Sequence, residues 1–296
     1  MRDDSLTAFI EKHRLPGAFR IAAREHFEPL AEWLAGRHEP GHAMLSGING
    51  AQGTGKSTLA DFLALFLAEA HRWRVAVISI DDFYLTRDER QALADRIHPL
   101  LATRGVPGTH DVAMMRDCIE RLRTLRTGQT ASLPRFDKAA DDRADPSGWP
   151  IVEGPIDLVI LEGWCVGSMP QPESALSEPV NDLERNEDPD GTWRRYVNDR
   201  LASDYAPVFE SIDALVALVA PDFESILRWR IEQEQKLRAT ASDSSRTMDD
   251  AAVARFVQHF ERLTRHNLDV VPQRADVVLG IAEDHTIISS TYGRRR

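Results

Sequence analysis

Cysteine is nearly absent: two residues in 296, Cys118 and Cys165, lie far apart and form no CxxC unit. That excludes a disulfide framework and makes a reducing, cytoplasmic setting the economical reading. Long apolar runs are missing too; nothing approaches the ~18 residues needed to span a bilayer. The first residues carry Asp3 and Asp4 where a secretory leader needs basic side chains, and no continuous apolar segment follows. Positive charge is scarce: Lys+Arg 36 against Asp+Glu 47 leaves a net charge of -11. A surface of that sign repels nucleic acid and anionic lipid over long range, so neither is expected as a partner. Any anionic small ligand must then be held by locally concentrated donors. Glycine (17) and proline (16) are not inflated, which excludes collagenous and low-complexity classes.

What is present is enough chain for a sizeable core, about three quarters of the unfolded surface being buried at this length. Residues 5 to 38 have helix-like apolar spacing (Leu6, Phe9, Ile10; then Ile21, Phe27, Leu30, Trp33, Leu34), broken at Leu15-Pro16-Gly17. The period then changes. Short apolar runs at 43–48, 75–80, 156–161, 214–220 and 275–279 suit strands buried on both faces of a parallel sheet. Helical patterns fall between them, near 111–126, 193–210, 222–239 and 249–266, with Asp249 as an N-cap for the last. Residues 285–290 suit an antiparallel edge strand. Alternation of this kind predicts an α/β fold: a doubly wound, mainly parallel five-stranded sheet with helices on both faces. A single domain over 1–296 is expected, with a helical N-terminal extension (1–40). Residues 168–192 stand apart, with seven acidic residues, one Arg and four Pro and no apolar period, and are expected to form a solvated or partly disordered acidic insertion loop.

The chemistry is concentrated in a few motifs. Residues 50–57, Gly50-Ala51-Gln52-Gly53-Thr54-Gly55-Lys56-Ser57, followed by Thr58, match G-x-x-x-x-G-K-[ST] between an expected strand and an expected helix. Glycines let backbone N–H groups cradle phosphates, the helix dipole favours negative charge, Lys56 adds a point charge and the Ser57 hydroxyl can ligate Mg²⁺. This is a nucleoside triphosphate site of the P-loop NTPase type. The second strand ends Ser79-Ile80-Asp81-Asp82, at the carboxyl edge where ligands gather. One aspartate could accept a hydroxyl proton or hold Mg²⁺; the competing reading is a helix N-cap pair. The third strand ends at Glu162, a carboxylate suited to Mg²⁺ or to orienting water.

Two polar clusters lie between those strands. Arg104 to Asp111 is a glycine-flanked turn in which His110 could donate to a substrate oxygen, or Asp111 could merely cap a helix beside a solvated histidine. Residues 133–143 interleave charges through Arg135, Asp137, Lys138 and Arg143. Arg228 and Arg230 lie on the helix after the fourth strand, which is either a lid supplying transition-state charge or an ordinary amphipathic helix. Neither the N-K-x-D motif of GTPases nor the LSGGQ signature of ABC-type ATPases occurs.

The chain resembles the D-glycerate 3-kinase family of P-loop kinases, relatives of uridine kinase, phosphoribulokinase and bacterial pantothenate kinase. The resemblance rests on GAQGTGKST (50–58), SIDDFYLT (79–86), RGVPGTHD (104–111), LPRFDKAADDR (133–143), WP-x-VEGP (149–155), LEGW-x-VG (161–167) and RWRIEQE from Arg228. It implies transfer of the γ-phosphoryl group of ATP to a hydroxyl of D-glycerate, giving 3-phosphoglycerate, with ATP and Mg²⁺ as cofactors. By that resemblance Asp81 matches the base for the acceptor hydroxyl, and Ser57, Asp81 and Glu162 are the metal-binding candidates. Asp82, His110, Asp111, Arg135, Asp137, Lys138 and Arg143 are the acceptor-binding candidates, with Lys56, Arg228 and Arg230 beside Asp81 in catalysis. A clamp from Arg135, Lys138 or Arg143 on the acceptor's carboxylate would choose which hydroxyl faces Asp81. Other acceptors, such as a nucleoside or pantothenate, or a non-catalytic ATP-binding role, are the alternatives.

Overall fold

Continuous apolar runs become the central strands of the computed structural model, which describes residues 1–240 and 249–293. Strands β1 (Met44–Gly50), β2 (Val75–Ser79), β3 (Leu158–Gly163), β4 (Ala214–Val219), β5 (Val277–Ile281) and β6 (Ile287–Tyr292) form one sheet in the order β6-β5-β4-β1-β3-β2. The first five pair in parallel; β6 pairs antiparallel with β5 and gives the sheet its sixth strand. Side chains alternate across it. Met44, Ile48, Leu158, Ile160, Val216 and Leu218 pack on one face under α1 (Asp3–Lys12), α2 (Glu28–Ala35) and α3 (Lys56–His71). Leu45, Val159, Leu161, Leu215 and Ala217 pack on the other. There they meet Met115 and Ile119 of α5 (Val112–Thr124) and Phe260 and Leu263 of α9 (Asp250–Arg274). Helix α4 (Arg87–Arg96) precedes α5 and was not evident from sequence, because its ten residues, RDERQALADR, carry hardly any apolar stripe.

Two strands begin two residues later than their apolar runs suggest, for one reason. Asp157 and Asp276 stand just before β3 and β5, and Asp213 just before β4. Their carboxylates accept from the backbone N–H of Arg74 (2.8 Å), Leu215 (2.9 Å) and Leu45 (2.8 Å). Three aspartates thus stitch neighbouring strands at the amino edge, opposite the edge where the motifs collect.

The 168–192 segment is not a solvated loop. It contains a short turn at Glu173–Leu176 and α6 (Asp182–Glu187), with Leu176 and Leu183 buried. Glu184 is fully buried and receives two hydrogen bonds from Arg262 of α9, at 2.7 and 2.6 Å. Arg262 also donates to the carbonyls of Ala175 and Glu178, both at 2.6 Å. Asp188, also fully buried, pairs at 3.0 Å with Arg194 of α7 (Thr192–Arg200). Local composition could not disclose this docking, because the guanidinium that neutralises Glu184 comes from 78 residues away.

Candidate active site

The phosphate loop is built from backbone conformation. Between β1 and α3, Gly53 and Gly55 take φ of 82° and 87°, a region that strains any side chain. Thr54 closes the turn by donating to the Ala51 carbonyl at 2.8 Å. A glycine loop of this shape leading into the N-terminus of α3 suits an anion such as a phosphate. Lys56 donates to the same Ala51 carbonyl at 2.9 Å. Desolvation pulls its pKa down, and the Glu162 and Asp81 carboxylates act against that. A desolvated ammonium held by one carbonyl fits a phosphate oxygen. Ser57, at the next position, donates to Glu162 Oε1 at 2.9 Å, bringing the hydroxyl and the β3 carboxylate together. That pair fits Mg²⁺, which typically takes one or two protein ligands and completes its shell with water and phosphate. No cluster of three or more His, Cys, Asp or Glu forms a protein-only metal cage among the described residues.

Beyond β2 the two aspartates part company. Asp82 accepts from the backbone of Ser79 and Phe136, both at 3.4 Å, and from Arg135 at 3.1 Å. It caps the turn Ile80–Phe83 and fastens the charged loop; desolvation raises its pKa against the pull of Arg135. Asp81 instead receives the Tyr84 hydroxyl at 2.8 Å and the Lys138 ammonium at 2.6 Å. Desolvation would raise its pKa, but Lys138 and the two hydrogen bonds outweigh that and hold it below the usual carboxylate range. An ionised, partly exposed carboxylate of this kind can accept a proton from a hydroxyl.

The other candidates divide between those that meet Asp81 and those that frame it. His110 is buried, stacks on Tyr84 at 4.6 Å, and bonds Tyr205 through Nδ1 at 2.6 Å. It is not the solvated histidine that its turn suggested. Burial lowers its pKa to about 4, with Asp81 opposing, so the ring is neutral. Asp111 caps α5 through the Met114 amide at 2.9 Å and pairs with Arg143 at 3.3 Å. Arg135 and Arg143 are therefore both engaged by carboxylates within the framework. Asp137 accepts from the amides of Ala139 and Ala140 at 2.8 and 3.1 Å, which makes it the turn-former of an exposed hairpin.

Helix α8 (Phe223–Thr240) meets the phosphate loop at Trp229; a Cβ on Gly53 would stand 3.2 Å from Trp229 Cβ. Arg228 pairs with Glu283 at 3.1 Å on the exposed surface, and Arg230 pairs along the helix with the nearly buried Glu234 at 2.8 Å.

No model of a known protein family matches the chain. An uncharacterised kinase of Schizosaccharomyces pombe, mug58, is 36% identical over 241 residues, covering 79% of this chain and 84% of that protein. A chloroplastic D-glycerate 3-kinase of Arabidopsis thaliana is 34% identical over 225 residues, 73% of this chain. The chain belongs to the D-glycerate 3-kinase family of P-loop kinases. It spans 46% of the length of the Arabidopsis member. In fold, it matches the solved D-glycerate 3-kinase of Cryptococcus neoformans with a TM-score of 0.74 at 24% identity, over 90% of this chain and 99% of that one.

The residues of this glycerate 3-kinase family member that sequence reasoning missed are the ones joining its motifs. Tyr84 lies inside SIDDFY, three residues after Asp81, and that spacing was the available signal. Trp164 of LEGW donates to the Gly105 carbonyl of RGVPG at 2.9 Å. Gly105, with φ of 139°, lies so close to Phe260 that a Cβ would stand 2.5 Å from its ring. Asp141 gathers both Arg104 and the buried Arg90, the latter at 3.0 Å, and so anchors the hairpin that carries Lys138. Tyr205, in a helix with no polar pattern, gave no signal at all.

Proposed function

We propose that this chain transfers the γ-phosphoryl group of ATP to D-glycerate, giving 3-phosphoglycerate. The observation that carries the reading is the Asp81–Lys138 pair beside the phosphate loop: a base and an exchangeable cation side by side. The acceptor hydroxyl oxygen attacks the γ-phosphorus in line, its proton passes to Asp81, and the bond to the bridging oxygen breaks to release ADP. Lys138 is 61% exposed and forms the outer half of its pair. It can leave Asp81 for the carboxylate of an incoming acid, which supports an acceptor that is itself anionic. Lys56 and the phosphate-loop amides, residues 50–58, hold the triphosphate. Ser57 and Glu162 would hold Mg²⁺, which supplies charge neutralisation on the phosphates. Arg228 is the lid residue of the proposal.

Among the described residues no helix is long and apolar enough to cross a membrane, and the two thiols, both free, fit a reducing cytoplasm. The test is ADP release coupled to product identification with purified protein and D-glycerate, L-glycerate, glycerol, uridine and pantothenate. D-glycerate is expected to turn over with 3-phosphoglycerate as product, and glycerol to be a poor acceptor. Turnover of uridine or pantothenate with none of D-glycerate would overturn the acceptor assignment.

A further inference from the structure

His110 Nε2 is buried and has no hydrogen-bond partner among the described residues. Leaving a buried polar group unpaired costs about 1–3 kcal/mol, so such an atom needs a reason. The other side of the ring supplies one. Tyr205 Oη lies between the Gly108 amide, at 3.0 Å, and His110 Nδ1, at 2.6 Å. The amide can only donate, so it takes a lone pair of the phenol oxygen. Tyr205 is fully buried, and burial raises its pKa well above the ordinary phenol range, so it keeps its proton. That proton has His110 Nδ1 as its acceptor. A neutral imidazole that accepts at Nδ1 carries its own hydrogen on Nε2. The opposite tautomer would direct two donors at one phenol oxygen and leave the phenol proton without an acceptor.

The ring is also clamped in place. Tyr84 stacks on its face at 4.6 Å and 23°, and Tyr205 meets it edge-on at 5.7 Å and 82°. Tyr84 is the residue whose hydroxyl holds Asp81, so the histidine and the carboxylate share one support. Tyr205 closes the π-helical turn Leu201–Tyr205, a departure from regular helix often found at functional sites.

We propose that Tyr205 is a positioning residue that occupies the Nδ1 side of His110 and so fixes the histidine as an Nε2–H donor to an oxygen of the acceptor beside Asp81. This rests on the acceptor-site reading above and extends it to how the acceptor is oriented. A neutral donor grips one oxygen of the substrate without adding charge, leaving Asp81 ionised for the hydroxyl that reacts. With Lys138 on the carboxylate and His110 on a second oxygen, the acceptor is held at two points and presents one hydroxyl to the base.

The test uses the full chain with ¹⁵N-labelled histidine, the His110 signals being identified by their loss in His110→Gln. In the ligand-free wild type, His110 Nδ1 is expected to resonate as a pyridine-type nitrogen and Nε2 as a pyrrole-type one. A pyrrole-type Nδ1 would overturn the proposal, and this readout requires no variant at Tyr205 and no activity. Adding D-glycerate should shift Nε2–H and not Nδ1. In Tyr205→Phe the tautomer preference should weaken, and KM for the acceptor should rise about tenfold while KM for ATP stays within about twofold. Equal movement of both constants, or of neither, would also overturn it. Absence of turnover with every acceptor would remove the glycerate reading, while the tautomer assignment would be judged by the spectrum alone.

Discussion

The two ends of the candidate site are made by different means. The phosphate end is one run of residues, 50–58, whose shape comes from its own backbone: two glycines at positive φ and two donors, Thr54 and Lys56, on the single carbonyl of Ala51. The proposed acceptor end is assembled from separate stretches of chain. Its defining contacts join Arg143 to Asp111, Arg135 to Asp82, Lys138 to Asp81 and His110 to Tyr205, across 32, 53, 57 and 95 residues. Backbone geometry is not negotiable, whereas partly exposed ion pairs are weak and can exchange partners. A cradle for a group common to every nucleotide can be rigid; a pocket that must admit one particular acid benefits from pairs that the acid can replace.

Substitution of one residue at each end should separate them by the largest margin. Lys56→Met is expected to weaken ATP binding and lower turnover by about 10³-fold. Asp81→Asn should cost a similar ~10²–10⁴-fold in turnover while leaving ATP affinity nearly unchanged. Nucleotide titration of both variants, beside turnover, checks this. If Asp81→Asn loosened ATP as much as Lys56→Met, the two ends would be one unit.

A second separation is thermodynamic. His110 has a folded-state pKa of about 4 because it is buried, against an unfolded value of about 6.5. The unfolded chain therefore binds the proton more readily, and the stabilising contribution is present above about pH 6.5 and lost as pH falls toward 4. At ~1.4 kcal/mol per unit the effect is about 3 kcal/mol. Comparing denaturant unfolding of wild type and His110→Gln isolates it, since His259 and His266, also lowered by burial, are common to both. The wild type's stability relative to the variant should decline on acidification. A difference independent of pH would mean that His110 is not held neutral in the fold.

This contrast also explains what could be read in advance. The strands and the phosphate loop were legible because their signals are local: continuous apolar runs, and a glycine pattern between a strand and a helix. Asp249 as a cap was legible for the same reason, its carboxylate accepting from the Ala252 amide three residues on at 2.7 Å. Asp82 and Arg135 are engaged with each other, and Asp137 with its own turn, partners that the sequence pattern, which names charges alone, does not disclose. Tyr205 and Arg262 were invisible on the same grounds. Their importance comes from what lies 95 and 78 residues away.

A smaller effect is expected where the hairpin is anchored. Asp141, at φ of 54°, holds Arg90 and Arg104. Asp141→Asn preserves the backbone preference, since Asn tolerates that conformation, but removes the charge that orients the hairpin. KM for the acceptor should rise about tenfold, with KM for ATP within about twofold. A parallel rise in KM for ATP would show that the hairpin supports both ends.

The smallest effect is expected on α8, where the two arginines of one turn provide their own contrast. Arg228 and its partner Glu283 are 50% and 71% exposed, so breaking that pair should change stability by less than about 1 kcal/mol. Arg230 and Glu234 are 14% and 5% exposed, so removing that guanidinium breaks a nearly buried ion pair and should lower the melting temperature visibly. If Arg228 serves as the lid cation, Arg228→Ala should lower kcat a few-fold at unchanged stability, whereas Arg230→Ala should lower stability at nearly unchanged kcat. Thermal melts and steady-state kinetics on the two variants decide between them. The reverse pattern would assign the lid charge to Arg230, and would require its pair with Glu234 to open when nucleotide binds.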